Sequence, residues 1–178
     1  MKISNDGINL IKNYEGCKLY AYRDSVGVAT IGYGHTKGVR MGTAITQKQA
    51  DDYLREDLES VEKTLNQLGI NFKQCQFDAL CSWVFNLGSG NFTHSTMCVR
   101  ICTGASDEEI TDQLVRWHNA GGKPLLGLMK RRVSEANMFL GIEDFVGWGY
   151  ELVCGAILNV PNVYASTDYA NFNYSGTY

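Results

Sequence analysis

Residues 14–36 read YEGCKLYAYRDSVGVATIGYGHT, and this stretch decides the fold of the N-terminal part of the chain. It contains two runs rich in aromatic and β-branched residues, at 19–22 and 28–31, with a glycine-bearing turn at 24–27 between them. Such runs on either side of a short turn are typical of a β-hairpin. The stretch therefore predicts two antiparallel strands early in the chain.

The segment before the hairpin predicts a short helix. Ser4 is a good N-cap, and Gly16 is a typical residue to end a helix. Together with the hairpin, this places Glu15 at the end of the helix, Asp24 at the start of the turn and Thr30 on the returning strand. Three polar residues that can carry chemistry are thus expected near one hairpin.

The remainder of the sequence has helical periodicity. Thr46 with Gln49 and Ser106 with Glu109 are capping boxes, in which each side chain satisfies a backbone group at the helix start. Glycines interrupt the apolar pattern and separate the predicted helices, which span 46–69, 74–87, 95–103 and 106–117, with a last one that carries residues 130–135. The interruption before this last helix is Gly121-Gly122.

These elements predict an α+β fold that is mostly helical and has two lobes. The first lobe (residues 1–50) carries the hairpin, a long helix (46–69) connects the lobes, and the second lobe (74–142) is helical. Residues 143–178 contain no Lys or Arg and half of the ten tyrosines, and are expected to be an extension. It either packs its apolar start on the body and frays at its end, or presents a tyrosine-rich contact surface.

Composition limits the classes of function. The net charge is −3, which argues against a generally basic nucleic-acid-binding protein. Residues 1–50 are mildly basic, with seven Lys or Arg against three Asp or Glu, which suits a modestly anionic substrate. The sequence has neither a signal-peptide pattern nor an apolar run of about 18 residues, so we expect synthesis in the cytoplasm without membrane insertion.

The six cysteines raise the question of metal binding. His94, Cys98 and Cys102 would share one helical stripe, but a structural zinc site usually has four ligands at tighter spacing. We therefore predict no metal site and expect the thiols to be buried and to behave as apolar side chains. Their pairing cannot be chosen from sequence.

Glu15, Asp24 and Thr30 have the chemistry that glycoside hydrolysis requires. One protonated carboxyl must protonate the leaving oxygen, while a second, ionised carboxylate activates water or attacks the sugar. A threonine hydroxyl near them could orient the water. Two acids and a threonine are also common in surface loops, so these residues alone are a weak signal.

The sequence around these residues is more specific. Residues 14–24 and 26–36 closely resemble the phage-type lysozymes, the endolysin family that includes the T-even phage lysozymes. Further matching motifs follow in the family's order at residues 77–80, 85–92, 95–96, 117–123 and 127–135. The resemblance covers about residues 4 to 140, and the lobes predicted from periodicity agree with the family fold.

The resemblance implies a muramidase that cuts the β-1,4 bond between N-acetylmuramic acid and N-acetylglucosamine in peptidoglycan, without a cofactor. Position by position, Glu15 matches the general acid, Asp24 the second carboxylate and Thr30 the residue that positions water. Inversion is the family precedent, which requires carboxyl groups roughly 6.5–9.5 Å apart to leave room for that water.

Other matched positions imply substrate binding or structural support. Thr36, Phe85 and Ser95 match residues of the substrate cleft, although Phe85 is equally consistent with a core position. His35 is expected to form a structural ion pair with Asp78.

Three further residues have structural expectations. Asn86 is expected to satisfy backbone groups at a helix end or turn. Arg131 or Arg132 is expected to contact Glu15, Glu135 or a helix end.

The implied partner is bacterial peptidoglycan, reached from the cytoplasm with the help of a separate factor such as a phage holin, and the implied state is a monomer acting in the periplasm. Two alternatives stay open. One is a non-catalytic peptidoglycan-binding or membrane-perturbing protein on a lysozyme-like scaffold. The other is a lytic transglycosylase, which would leave a 1,6-anhydro end.

Overall fold

The computed structural model describes residues 1–142 of the 178-residue chain. The predicted extension at residues 143–178 lies outside the described residues. The order of helices and strands is α1 (Asn5–Glu15), β1 (Lys18–Arg23), β2 (Ala29–Gly32), α2 (Gln47–Asn66), α3 (Gln74–Leu87), α4 (Ser89–Thr93), α5 (Thr96–Cys102), α6 (Asp107–Val115), β3 (Asn119–Ala120), β4 (Lys123–Pro124) and α7 (Leu126–Leu140). The prediction of a mostly helical α+β fold with an early hairpin is confirmed.

The hairpin β1–β2 forms as the sequence predicts. The strands are antiparallel, with Tyr22 opposite Thr30 and Arg23 opposite Ala29. The backbone amide of Gly27 donates to the carbonyl of Asp24 and closes the turn at 3.0 Å. An isolated bridge between Tyr20 and Ala44 ties the outer strand to the loop before α2.

Local capping fixes the helix starts. The Ser4 hydroxyl accepts from the amides of Asp6 and Gly7 at the start of α1. The capping boxes at Thr46 and Ser106 are both formed. Side-chain oxygens that satisfy unpaired amides stabilise a helix end wherever the rest of the chain lies, which is why sequence predicts these boundaries well.

One hydrophobic core joins the helices. Its largest fully buried apolar side chains include Phe77 and Trp83 of α3, together with Leu58 of α2, Phe92 of α4 and Phe139 of α7. The Trp83 and Trp117 rings form a T-shaped pair with a centroid distance of 5.1 Å. Burial of α3 between α1, α2 and α7 holds the ends of these helices in fixed positions, and the candidate site uses those ends.

Three details of the helical part differ from the prediction. α6 ends at Val115 instead of reaching Trp117, and the interruption at Gly121-Gly122 is the turn of a second small hairpin, β3–β4. Both glycines have positive φ, 58° and 77°, which a two-residue hairpin turn favours. The five-residue helix α4 was also not predicted, because so short a helix has too little periodicity to detect.

Within residues 1–142, every helix is too short or too polar to cross a membrane.

Candidate active site

A cavity of about 280 Å³ lies beside the end of α1. Residues after β2, on α2 and at the end of α3 form its wall together with the helix end: Glu15, Tyr33, Gly34, Thr36, Asp57, Phe85 and Asn86. Elements that are far apart in sequence therefore converge on the predicted general acid.

Glu15 is the last residue of α1, and Gly16 ends the helix with a φ of 64°. The Glu15 carboxylate accepts a hydrogen bond from Arg131 Nη1 at 2.6 Å. Its side chain is 23% exposed, whereas that of Arg131 is 4% exposed. The carboxyl group of Glu15 thus faces the cavity, and the buried guanidinium group of Arg131 binds it from the protein interior. Of the two arginines that the sequence left open, Arg131 makes this contact.

Arg131 is itself anchored inside the helical lobe. Its Nε donates to Glu135 at 3.1 Å, and its Nη2 donates to the carbonyl of Ser82 at 3.2 Å. Glu135 also accepts from the Ser82 hydroxyl at 2.7 Å and from Arg132 at 2.9 Å. Complete burial raises the pKa of Glu135, and the two guanidinium groups oppose that shift.

Asp24 lies in the turn of the hairpin, where it is half-buried. Its Oδ1 accepts from the backbone amides of Val26 and Val28 at 3.0 and 2.8 Å. These two bonds fix the carboxylate in the turn. Within residues 1–142 no donor reaches Oδ2, so this oxygen is available to a water molecule or a ligand.

Thr30 lies on β2 and is buried. Its hydroxyl donates to the carbonyl of Val28 at 3.1 Å. Because a hydroxyl has one proton, the lone pairs of Thr30 remain as acceptors. A water molecule at this oxygen would be the donor. Neither Thr30 nor Asp24 is among the described residues that line the 280 Å³ cavity.

The three predicted substrate-binding residues have different environments. Thr36 is exposed and lines the cavity, and Phe85 lines it while also packing against the hydrophobic core. Ser95 is buried, donates to the carbonyl of Phe92 and caps α5 through the amide of Cys98. The structure thus gives Ser95 a capping role, and its part in sugar binding stays a prediction.

The predicted partner of His35 is wrong. The His35 Nδ1 lies 2.9 Å from a carboxylate oxygen of Asp57 on α2, and its ring stacks on Tyr53 at 4.4 Å. Asp78 instead accepts from the amide and hydroxyl of Ser4. A structural pair does form at His35, but between the loop after β2 and the long helix.

The prediction for Asn86 is also wrong. Its amide oxygen accepts from Arg132 Nη2 at 3.0 Å instead of from backbone groups. This contact connects the cavity wall to the buried arginines of α7.

Sequence reasoning did not identify Tyr33, Asp57 or Glu135 as part of the site. Tyr33 lies within the matched stretch 26–36 and Glu135 within the matched stretch 127–135, so the motifs contained a signal for both. Asp57 lies on a polar face of the long helix that the sequence predicts to be exposed to solvent, and no sequence pattern indicates that it belongs to the site. Burial raises the pKa of the Tyr33 hydroxyl, which accepts a hydrogen bond from Gln47.

A second cavity, of about 510 Å³, adjoins the first and shares Asp57 and Phe85 with it. Its wall comes mostly from α2 and from the end of α3, with Lys37, Glu56, Glu59 and Ser89 as polar groups. The two cavities together form a groove along α2.

The thiols do not all behave as predicted. Cys81 and Cys98 are buried, but Cys17 and Cys102 are exposed and Cys75 is half-buried. All five are free thiols, and Cys154 lies outside the described residues. Residues 1–142 contain no group of three or more potential metal ligands.

The helical fold with its early hairpin, and a glutamate at a helix end facing a groove, are the features that the sequence predicts for a lysozyme-like class of enzyme. The profile of the phage lysozyme family matches residues 12–135, and the chain belongs to this family. Among similar proteins is an endolysin of Acyrthosiphon pisum secondary endosymbiont phage 1, 43% identical over 144 residues that cover 78% of this chain and 98% of the relative. The endolysin of Salmonella phage P22 is 38% identical over 146 residues, which cover 79% and 99%.

A solved structure supports the same assignment. The muramidase domain of SpmX from Asticaccaulis excentricus has a TM-score of 0.73 and 37% identity, covering 78% of this chain and 97% of that domain. The predicted family and fold class are therefore confirmed, and the chain is a phage endolysin-type enzyme.

Proposed function

We propose that this protein is a muramidase that hydrolyses the β-1,4 bond between N-acetylmuramic acid and N-acetylglucosamine in bacterial peptidoglycan. The observation that carries the proposal is Glu15, whose carboxyl group is half-buried at a helix end, faces the groove and is held by Arg131. A carboxyl group in this position can protonate the glycosidic oxygen of a sugar chain bound in the groove.

Asp24 and Thr30 supply the other half of the mechanism. Asp24 Oδ2 accepts a proton from water, and the Thr30 oxygen accepts a hydrogen bond from the same water, which leaves a lone pair of that water to attack the anomeric carbon. The turn amides that hold Asp24 Oδ1 support this role, because they keep the carboxylate in one orientation. Water adds across the bond, Glu15 gives its proton to the leaving sugar, and Asp24 takes the proton from water.

The groove is the proposed binding site for the glycan. Thr36 and Phe85 line this cavity, which supports their predicted role in substrate binding, and Tyr33 and Asn86 add polar groups to the same wall. We further propose that a separate factor such as a holin gives the enzyme, as a monomer, access to peptidoglycan in the periplasm.

A lytic transglycosylase is the main alternative in the same substrate class. That reaction uses the sugar's own 6-hydroxyl as the nucleophile, so it needs no second carboxylate and no positioned water. Asp24, held by two amides with one oxygen available, favours hydrolysis. The same constellation speaks against a non-catalytic binding protein.

Mass spectrometry of the muropeptides released from purified peptidoglycan tests the proposal. Hydrolysis gives products with a free reducing N-acetylmuramic acid, and transglycosylation gives 1,6-anhydro products that are lighter by one water. Anhydro products from the wild-type protein would overturn the hydrolytic mechanism, and no released products would favour a binding protein.

A further inference from the structure

Glu135 is the most completely buried carboxylate near the site, with an exposure of 0%. It is too far inside the helical lobe to meet a substrate, and the proposed mechanism does not use it. An isolated buried carboxylate is costly, so such a group persists only with several partners. Its partners indicate what it does.

Three donors converge on one oxygen of Glu135. Oε1 accepts from Ser82 Oγ at 2.7 Å, from Arg132 Nη2 at 2.9 Å and from Arg131 Nε at 3.1 Å. Oε2 lies 2.8 Å from Arg132 Nε, but the alignment is too poor for a hydrogen bond. The well-directed bonds of Glu135 therefore all pass through Oε1.

All three nitrogens of the Arg131 guanidinium have acceptors. Nε is held by Glu135, Nη2 by the Ser82 carbonyl and Nη1 by Glu15. A guanidinium group is planar and rigid, so fixing two nitrogens fixes the direction of the third. The direction in which Nη1 meets the Glu15 carboxylate is thus set by groups that never touch the groove.

We propose that Glu135 is a positioning residue for the reaction: through Arg131 it fixes the orientation of the Glu15 carboxyl group toward the glycosidic oxygen. The inference rests on the proposed role of Glu15 as the acid. Misplacement of a proton donor by a fraction of an ångström lowers the rate of the chemical step and leaves ground-state binding unchanged.

The test compares Glu135→Ala with Glu62→Ala as a matched control. Glu62 is also a buried glutamate, but it accepts from the amide of Ile3 and pairs with Lys2, and neither of these residues bonds to Arg131. Both variants and the wild type are assayed on soluble, uncross-linked peptidoglycan at a temperature where circular dichroism shows them folded. We expect Glu135→Ala to lower kcat by about 10-fold or more with KM within about 2-fold, and Glu62→Ala to keep the wild-type kcat.

Glu135→Gln is the conservative variant, and it also serves if Glu135→Ala does not fold. Its amide oxygen can still accept from Arg131, although neutral hydrogen bonds are weaker, so its kcat should lie between those of Glu135→Ala and the wild type. In an Arg131→Lys background, Glu135→Gln should cause no further loss, because the connection to Glu15 is already broken.

A wild-type kcat in the Glu135 variants, an equal loss in Glu62→Ala, or losses that multiply in the double variant would overturn the inference. Glu15→Gln separates this result from the proposed function. If Glu15→Gln stays active, the proposed acid is wrong. If it is inactive while the Glu135 variants keep full activity, only the positioning role fails.

Discussion

His35 and Asp57 form a hydrogen-bonded pair, with Nδ1 and Oδ2 2.9 Å apart, that connects the loop after the hairpin to the long helix α2. The histidine side chain is 5% exposed, and its other ring nitrogen lies 3.0 Å from the carbonyl of Lys37. Asp57 also lines the groove. The pair therefore stabilises the first lobe and also holds in place a side chain of the groove wall.

Asp57→Ala should therefore destabilise the protein. Removal of the carboxylate leaves the buried Nδ1 of His35 without its partner, which costs about 1–3 kcal/mol in the free energy of unfolding. Urea denaturation followed by circular dichroism measures this loss. Glu56→Ala is the control, because Glu56 pairs with Lys37 on the surface and its loss should have little effect. Equal losses in both variants would contradict a special role for the pair.

Glu15→Gln should abolish activity while leaving stability nearly unchanged. The amide keeps the size of the side chain but cannot donate a proton to the leaving oxygen, and loss of a general acid typically lowers the rate by about 100-fold or more. Turbidity clearing of purified cell walls measures activity, and thermal unfolding measures stability. Asp6→Asn, an exposed acid on the same helix, should retain full activity. Substantial clearing by Glu15→Gln would refute the acid assignment.

Thr30→Val and Thr30→Ser distinguish the contribution of the Thr30 hydroxyl to the rate from the contribution of the side chain's shape. Valine keeps the size but removes the oxygen proposed to accept from water, so kcat should fall by about 10-fold or more with KM little changed. Serine keeps the oxygen and should stay within a few-fold of the wild-type kcat. If the two variants were equally active, the oxygen of Thr30 would have no part in positioning the water.

The lowered pKa of Asp51 predicts that this residue contributes to the stability of the fold in a pH-dependent way. A hydrogen bond from Lys12 holds the pKa of Asp51 below its ordinary value in the folded protein. The folded state therefore favours the ionised form, and this stabilisation is present above the ordinary aspartate pKa and is lost as pH falls through the lowered value. Asp51→Asn should be less stable than the wild type near neutral pH, and the difference should shrink in acid.

Thermal unfolding between neutral and strongly acidic pH measures this difference. Asp52→Asn is the matched control, because Asp52 is the next residue along the helix and its carboxylate pairs with the exposed Lys48 instead of Lys12. A gap between wild type and Asp51→Asn that does not change with pH would exclude the pairing as its cause.

Thiol labelling should follow burial. Cys17 and Cys102 are exposed, whereas Cys81 is buried, and burial raises the pKa of the Cys81 thiol far above the ordinary value. Because the thiolate is the reactive form, iodoacetamide should label Cys17 and Cys102 first and Cys81 only after unfolding. Peptide mass spectrometry locates the label. Rapid labelling of Cys81 in the native protein would show that the core around it opens.

Much of the fold follows from local sequence. The start of α1 at Ser4, its end at Gly16 and the capping boxes at Thr46 and Ser106 all form as predicted. These features depend on side chains within four residues of the backbone groups they satisfy, so their information is contained in short stretches. The hairpin around residues 24–27 is local in the same sense.

The sequence motifs also indicate Glu15, Asp24 and Thr30 as candidate site residues. Their placement at a helix end, in a turn and on a strand is confirmed, because each position follows from a local boundary. Their roles in the reaction remain predictions.

The pairings between distant residues were decided by tertiary structure alone. His35 meets Asp57 instead of Asp78, and Arg131 reaches Glu15 across 116 residues of sequence. A charged side chain has several potential partners in a linear sequence, and which one lies within 3 Å depends on how whole helices pack. Sequence thus determined the longer helices, the first hairpin and the reactive residue types, and the packing of α1 and α7 against α3 determined how the acid is held.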